Sequence, residues 1–285
     1  MNTILIIKTV AIILVILVLL LFIQHGLKMK ETKDKQFKIG LTSFLANFGD
    51  TFGIGSFASF VALKKYFNIM PDEPKFIGTL NIQAMITSLI QALIFLKFIN
   101  VDLTTLLVAT FMIALGGISS GIVAINLSPK VIRRIMLFAF ILSGILLLLS
   151  QLKVIKINGV NNGIYGYELF LFAICMFLTG ILPAFGVGYY VLVQIFIFIF
   201  HANPLIAFPI MTTASAFQMP ATSIPFILRE KFYFKSSIIC ILFGILGVLI
   251  ATPFITQANP NLLRWILLAI IVYNIFKLIK QKNSS

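Results

Sequence analysis

The chain has 285 residues, of which 60% are hydrophobic and 11% charged, with a net charge of +14 and a mean hydropathy of +1.09. No water-soluble domain of this length buries so much apolar surface, and the apolar runs do not alternate as barrel strands do, so the composition predicts an all-α, polytopic helical membrane protein. The basic residues lie almost wholly between apolar runs, where membrane topology explains them, and no basic face with interleaved polar readers supports nucleic-acid binding.

In chain order, residues 1–27 read as an N-terminal transmembrane anchor. Its apolar core (3–23, carrying Lys8) is long for a signal peptide, and no small-residue cleavage site follows. Residues 28–38 are the most basic stretch, with Lys28, Lys30, Lys33, Lys35 and Lys38. They read as a cytoplasmic loop, which puts the N-terminus outside. Residues 39–150 form a first repeat. It opens with a long apolar segment, 39–67, interrupted by Phe52-Gly53-Ile54-Gly55-Ser56-Phe57. A polar connector with Pro71 and Pro74 follows, then apolar runs at 76–97, 103–125 and 130–150. Ser128-Pro129 before the last run is a helix start, because proline is tolerated in a first turn.

Residues 151–165 read as a linker, marked by the turn dipeptides Asn158-Gly159 and Asn162-Gly163. Residues 166–285 form a second repeat and a basic tail. Its first segment, 166–200, carries Phe185-Gly186-Val187-Gly188-Tyr189-Tyr190, and runs at 206–228, 236–256 and 262–279 follow. The duplication extends to the start of each last run, where Pro129 with Arg133 matches Pro260 with Arg264.

A glycine inside a helix costs roughly 1 kcal/mol relative to alanine. Gly-x-Gly pairs at corresponding places in two halves therefore predict helices broken on purpose, the usual pointer to a transporter's binding site. Each Gly-x-Gly segment is too long for one straight span and short for two. Plain hydropathy counts eight or nine spans. A re-entrant hairpin in each half gives seven full spans plus two broken segments, and three full spans per half invert one repeat relative to the other. That arrangement also makes Lys64, Lys65, Lys75, Lys130, Arg133 and Arg134 cytoplasmic, along with the C-terminus.

Broken helices offer free backbone N–H groups and the positive end of a helix dipole, which suit an anion. Gly53, Gly55, Gly186 and Gly188 are the candidate backbone donors, close helix packing being the competing use of small residues. Thr79, Asn81 and Gln83, with Thr212, Thr213 and Ser215 in the second half, are candidate side-chain donors; bonding between helices is the alternative. Asp50 is the only acid close to either tip. It fits a proton-coupling role or a cap at a helix start. His201 reads as interfacial, and Arg133, Arg134 and Arg264 read as topology anchors. Cys175 and Cys240 have no paired spacing, and the few acids, histidines and cysteines form no nucleophilic, acid–base or metal constellation. The reading is therefore no enzyme, no catalytic residue, no metal and no cofactor.

The paired glycine segments, the helix start Ser128-Pro129-Lys130-Val131-Ile132-Arg133-Arg134 and the helix with Thr79 and Asn81 together resemble the TauE/SafE family of sulfite exporters, over roughly residues 38–280. The family's motifs are denser in glycine than Ser56-Phe57 and Tyr189-Tyr190 here. The resemblance implies a multi-pass secondary transporter of the cytoplasmic membrane. It would export sulfite or a related small organosulfur anion by alternating access. Its partners would be the lipid bilayer and the small anion. A homodimer is compatible with it, though the sequence carries no clear oligomer signal. The alternatives are a carrier of the same fold for another small anion or organic substrate, and an accessory membrane subunit without transport.

Overall fold

A computed structural model describes residues 3–29, 35–152, 154, 159–257 and 260–282. Much of the basic stretch expected as a loop (30–34) and Asn158 of the first turn dipeptide lie outside the described residues. The described chain is helical throughout, with no named strand. The helices are α1 (Thr3–Gly26), α2 (Gln36–Thr51), α3 (Ser56–Phe67), α4 (Glu73–Phe98), α5 (Leu103–Ala124), α6 (Pro129–Gln151), α7 (Gly166–Gly180), α8 (Tyr190–Ile199), α9 (Ala207–Leu228), α10 (Phe234–Ala251) and α11 (Pro260–Lys282). Short 3-10 turns precede α8 and α9 and follow α10. Local chemistry sets several starts. Asp72 caps α4 through the Lys75 N–H (3.1 Å), and Asp102 caps α5 through the Thr105 N–H (2.8 Å). Pro129 occupies the first turn of α6, as its place after Ser128 predicts.

Both Gly-x-Gly segments are closed hairpins. In the first, Lys35 just before α2 donates to the Asn68 carbonyl just after α3 (3.3 Å), and Lys38 lies over the Phe67 ring. The chain therefore enters and leaves at one place. At a rise of about 1.5 Å per residue, the arms of 16 and 12 residues reach roughly 24 and 18 Å, short of a bilayer core about 30 Å thick. In the second hairpin, the Asn203 N–H donates to the Asn161 carbonyl (2.9 Å), and Phe172 on α7 meets Phe200 after α8. Residues Gly166–Phe185 are long and apolar enough to span a membrane, but the chain turns back beyond them and returns to its entry side.

The two hairpin bases lie at opposite ends of α4. The first base adjoins its start, where Lys64 pairs with Glu73 (3.3 Å). The second adjoins its end, where the Asp102 N–H donates to the Asn162 carbonyl (2.7 Å). The hairpin bases are thus at opposite ends of the bundle, the arrangement that inverted repeats require.

Packing repeats the same exchange. α2 packs on α10 as α7 packs on α5, and α3 touches α11 as α8 touches α6. The match extends to atoms. A Cβ on Gly116 of α5 would stand 2.3 Å from the Phe177 carbonyl oxygen; one on Gly247 of α10 would stand 2.5 Å from the Phe44 carbonyl oxygen. Each contact is the other's image under the duplication, and each allows a helix to lie backbone-close on its neighbour, the usual role of small residues in membrane helices.

α4 and α9 cross at the centre. They bury Thr79, Asn81, Gln83, Thr87, Ser88 and Gln91 on one side, and Thr212, Thr213, Ser215, Gln218, Thr222 and Ser223 on the other. α9 also holds Pro220 and Pro225 inside the helix. α1 joins the bundle through one stripe, Ile7, Ala11, Val15, Val18 and Phe22, against α9 and α4. Its other faces carry exposed apolar side chains such as Leu17 and Leu20, as lipid contact requires.

Candidate functional site

The hairpin tips meet at the middle of the bundle. Gly53 and Gly55 both have positive φ (83° and 85°), a conformation that side-chain-bearing residues rarely adopt, and they turn the chain from α2 into α3. Gly188 serves a different need: a Cβ there would stand 3.1 Å from Phe57 Cβ on the opposing tip. The tips are also bonded, since Gln194 Nε2 of α8 donates to the Gly53 carbonyl (3.1 Å).

Between them lies a cavity of about 10 Å³ lined by Asp50, Gly55, Ser56, Phe57, Ala84, Thr87, Ser88, Gly188, Tyr189, Tyr190, Ser215 and Met219. That volume holds about one water. A chain of polar contacts runs around it. Asp50 accepts from the Ser56 N–H with one oxygen and from Gln91 Nε2 (3.0 Å) with the other. Gln91 Nε2 also reaches Thr51 Oγ1 (3.3 Å), and Gln91 Oε1 accepts from the Tyr190 hydroxyl (3.3 Å). Ser215 bridges the Tyr190 hydroxyl (3.3 Å) and the Tyr189 hydroxyl (2.6 Å). One connected set of side chains thus joins the first hairpin, α4, the second hairpin and α9.

Both α3 and α8 begin at this cavity. The first N–H groups of a helix have no partner within it, and its dipole favours negative charge there. At α3 that demand is met by Asp50, which acts as a cap reaching across the tip. At α8 no side-chain acceptor reaches the first N–H groups among the described residues, whereas Asp50 does so at α3. The position equivalent to Asp50 in the second half is Pro183, which has no acceptor side chain.

The residues singled out in the sequence divide accordingly. Asp50, Gly55, Gly188 and Ser215 line the cavity. Gly53 adjoins it, but its N–H already donates to the Asp50 carbonyl (2.8 Å) and its carbonyl faces Gln194. Gly186 (φ 78°) closes the turn before α8, with its N–H on the Pro183 carbonyl. Asn81 Nδ2 bonds the same Pro183 carbonyl (3.1 Å) and so holds the second tip against α4. Gln83 accepts from Asn47 Nδ2 (3.0 Å) and ties α4 to α2. Thr79 accepts from the Tyr233 N–H (2.9 Å) at the start of α10, near the α4 start. Thr212 donates to the Phe208 carbonyl of its own helix, and the Thr213 hydroxyl is buried without a partner. Gln91 and the Tyr190 hydroxyl, central to the network, were not selected from the sequence. An amide deep in the 76–97 run was the available signal for Gln91.

A family model described as sulfite exporter TauE/SafE matches residues 39–278. The chain belongs to the TauE/SafE family. Comparison with curated proteins and with solved structures returns no match. The matched span starts in α2 and ends in α11, so both hairpins and the cavity between them are TauE/SafE elements, while α1 lies outside. Membership in this transporter family, with six helices among the described residues long and apolar enough to cross a membrane, makes the chain a multi-pass membrane protein. Among the described residues no group of His, Cys, Asp and Glu is placed to hold a metal ion, and both cysteines are free.

Proposed function

We propose that the chain is a secondary transporter that exports sulfite or a related small organosulfur anion by alternating access, with the anion bound between the hairpin tips. The observation that carries this reading is the uncapped start of α8 at a cavity shared by two oppositely directed hairpins. A bound oxyanion would meet the first N–H groups of α8, with the hydroxyls of Tyr190, Ser215 and Ser88 around it. Asp50 would stay engaged with α3 and Gln91, positioning the tip and leaving the dipole of α8 to the substrate. The cavity of about 10 Å³ is too small for an oxyanion, so loading requires the tips to part. Inverted hairpins supply two ways of parting, one toward each face, which is the geometry of alternating access. The face rich in Lys64, Lys65, Arg133, Lys277 and Lys280 would be cytoplasmic.

The test is sulfite flux in everted vesicles with and without the protein. Expression-dependent flux that competes with sulfonates but not chloride, and that falls at least tenfold in Gly188→Leu at normal expression, is expected. Correctly inserted protein with no such flux would discard sulfite as substrate. Flux unchanged in Gly188→Leu would discard the tip site.

A further inference from the structure

A second polar cavity, of about 420 Å³, opens at the end of the molecule where the first hairpin has its base. It lies between the end of α3, the connector to α4, the start of α6 and the end of α11. Five cationic side chains line it, Lys64, Lys65, Arg133, Lys277 and Lys280, against a single carboxylate, Glu73. That carboxylate is committed, since it pairs with Lys64, whose Nζ also sits over the Phe76 ring (4.2 Å). Lys65 Nζ and Arg133 Nε are sealed from solvent and have no hydrogen-bond partner. Buried donors of this kind ordinarily have partners, because leaving them unmade is costly. Positive charge collected only to set topology would stay in water. Here two donors are withdrawn from water without partners, on side chains whose other atoms line a space large enough for a ligand.

The cluster is not a by-product of the duplication. Under the relation that pairs Gly53 with Gly186, Lys64 and Lys65 correspond to Ile197 and Phe198 at the opposite end. There Arg264, the counterpart of Arg133, lies over the Phe198 ring (4.9 Å) instead of facing other cations. Among the described residues, the lysine pair and the arginine that faces it therefore occur at this end and not at its counterpart.

We propose that this cavity is a second anion site, separate from the tip cavity, that takes an oxyanion group through Lys65 and Arg133. Lys277 and Lys280 stand at its exposed rim. Lys65 lies on α3 nine residues beyond Ser56, about 13 Å along the helix, so the site sits on the same hairpin arm as the tip. The bound chemistry is a phosphate-like group, whether of an anionic lipid headgroup or of a free small oxyanion.

The experiment uses the full chain, delipidated in neutral detergent at low salt. Sulfate and inorganic phosphate are titrated by calorimetry. Separately, retention of phosphatidylglycerol against phosphatidylcholine is read by native mass spectrometry. Lys65→Gln and Arg133→Gln should each weaken binding about tenfold or more, the usual effect of losing a charge-assisted bond. Lys277→Ala, an exposed rim change that does not threaten folding, should weaken it severalfold. Glu73→Gln should tighten it, a sign that general destabilisation would not produce. Free-anion binding with these signs assigns a soluble oxyanion. Selective retention of phosphatidylglycerol that is lost in Lys65→Gln assigns a lipid headgroup. If neither probe binds, or if binding is unchanged in Lys65→Gln, Arg133→Gln and Lys277→Ala, the proposal is overturned.

Discussion

Replacing Gln91 by methionine keeps the length and apolar volume of the side chain and removes both polar ends. Three hydrogen bonds disappear: to Asp50 (3.0 Å), to Thr51 (3.3 Å) and from Tyr190 (3.3 Å). All three partners keep another contact, since Asp50 retains the Ser56 N–H, Tyr190 retains Ser215 and Thr51 still donates to the Asn47 carbonyl, but the second Asp50 oxygen loses its donor. Interhelical bonds in membranes average about 0.6 kcal/mol, with a maximum near 1.7. A buried acceptor left unmade adds about 1–3 kcal/mol. The expected loss is therefore about 1–3 kcal/mol, visible as a fall of a few degrees in the melting midpoint of detergent-solubilised protein. Transport should fall more than stability does, because the lost bonds connect the two hairpins across the tip cavity, the proposed substrate site. Gln91→Glu sharpens the test. It leaves an acceptor for Tyr190 but sets a carboxyl against Asp50, so it should lower sulfite flux further than methionine does. Wild-type flux and an unchanged midpoint in Gln91→Met would refute the claim that this network couples the tips.

Three further outcomes follow from the geometry. Gly116→Leu and Gly247→Leu should destabilise by similar amounts, about 1–3 kcal/mol or more, because each drives a side chain into a carbonyl of the neighbouring helix; thermal stability of the two variants checks the equivalence, and a neutral outcome in either breaks it. Asp50→Asn should keep the fold, since an amide oxygen still accepts the Ser56 N–H, whereas Asp50→Leu should lose about 0.5–2 kcal/mol with the cap. Flux measured with and without a pH gradient in Asp50→Asn then separates capping from proton coupling, for coupling would vanish with the titratable group. Single cysteines at the exposed Asn68 and Asn161, with Cys175 and Cys240 replaced by alanine, should label from opposite sides of the membrane; labelling from the same side would refute the inverted hairpins.

The fold was largely legible because its determinants are local. Apolar run lengths, Pro129 at a helix start and Gly-x-Gly in two long segments each act on their own neighbourhood, and each recurs in the structure. The hairpin closure was legible only through segment length and the placement of basic residues. Its actual causes, Lys35 on Asn68 and Asn203 on Asn161, join residues far apart in sequence. The site was legible in part. Asp50, Gly55, Gly188 and Ser215 line the tip cavity because they sit at the glycine breaks or on the helix following one. Thr79, Asn81 and Gln83 do not line the cavity, although Ala84 beside Gln83 does; they are taken up by a helix start, a turn and α2 instead. Gln91 lies some two turns or more beyond them along α4 and has no polar counterpart suggested by the repeat. Asn81 and Gln83 also fall on alanines, Ala214 and Ala216, under the repeat, so the missing pair does not set Gln91 apart.

These missing pairs point to how the molecule works. The scaffold is symmetric, down to glycines that meet equivalent carbonyls, yet the polar groups placed on it are not. One tip carries its own anion, Asp50, while the other has Pro183 at the matching position and an uncapped helix. One hairpin ends in Lys64 and Lys65, the other in Ile197 and Phe198. Under the proposed alternating access, the symmetric backbone would let either hairpin part from the centre at comparable cost. Chemical asymmetry would then make the two openings unequal toward an anion. Opening toward the first face would expose the proposed substrate to a cationic approach; opening toward the second would expose it to an apolar exit with Arg264 held on an aromatic ring. Neutralising Lys65 and Arg133 together should therefore slow loading from the first face more than release at the second. Equal slowing of flux in right-side-out and everted vesicles would count against that division.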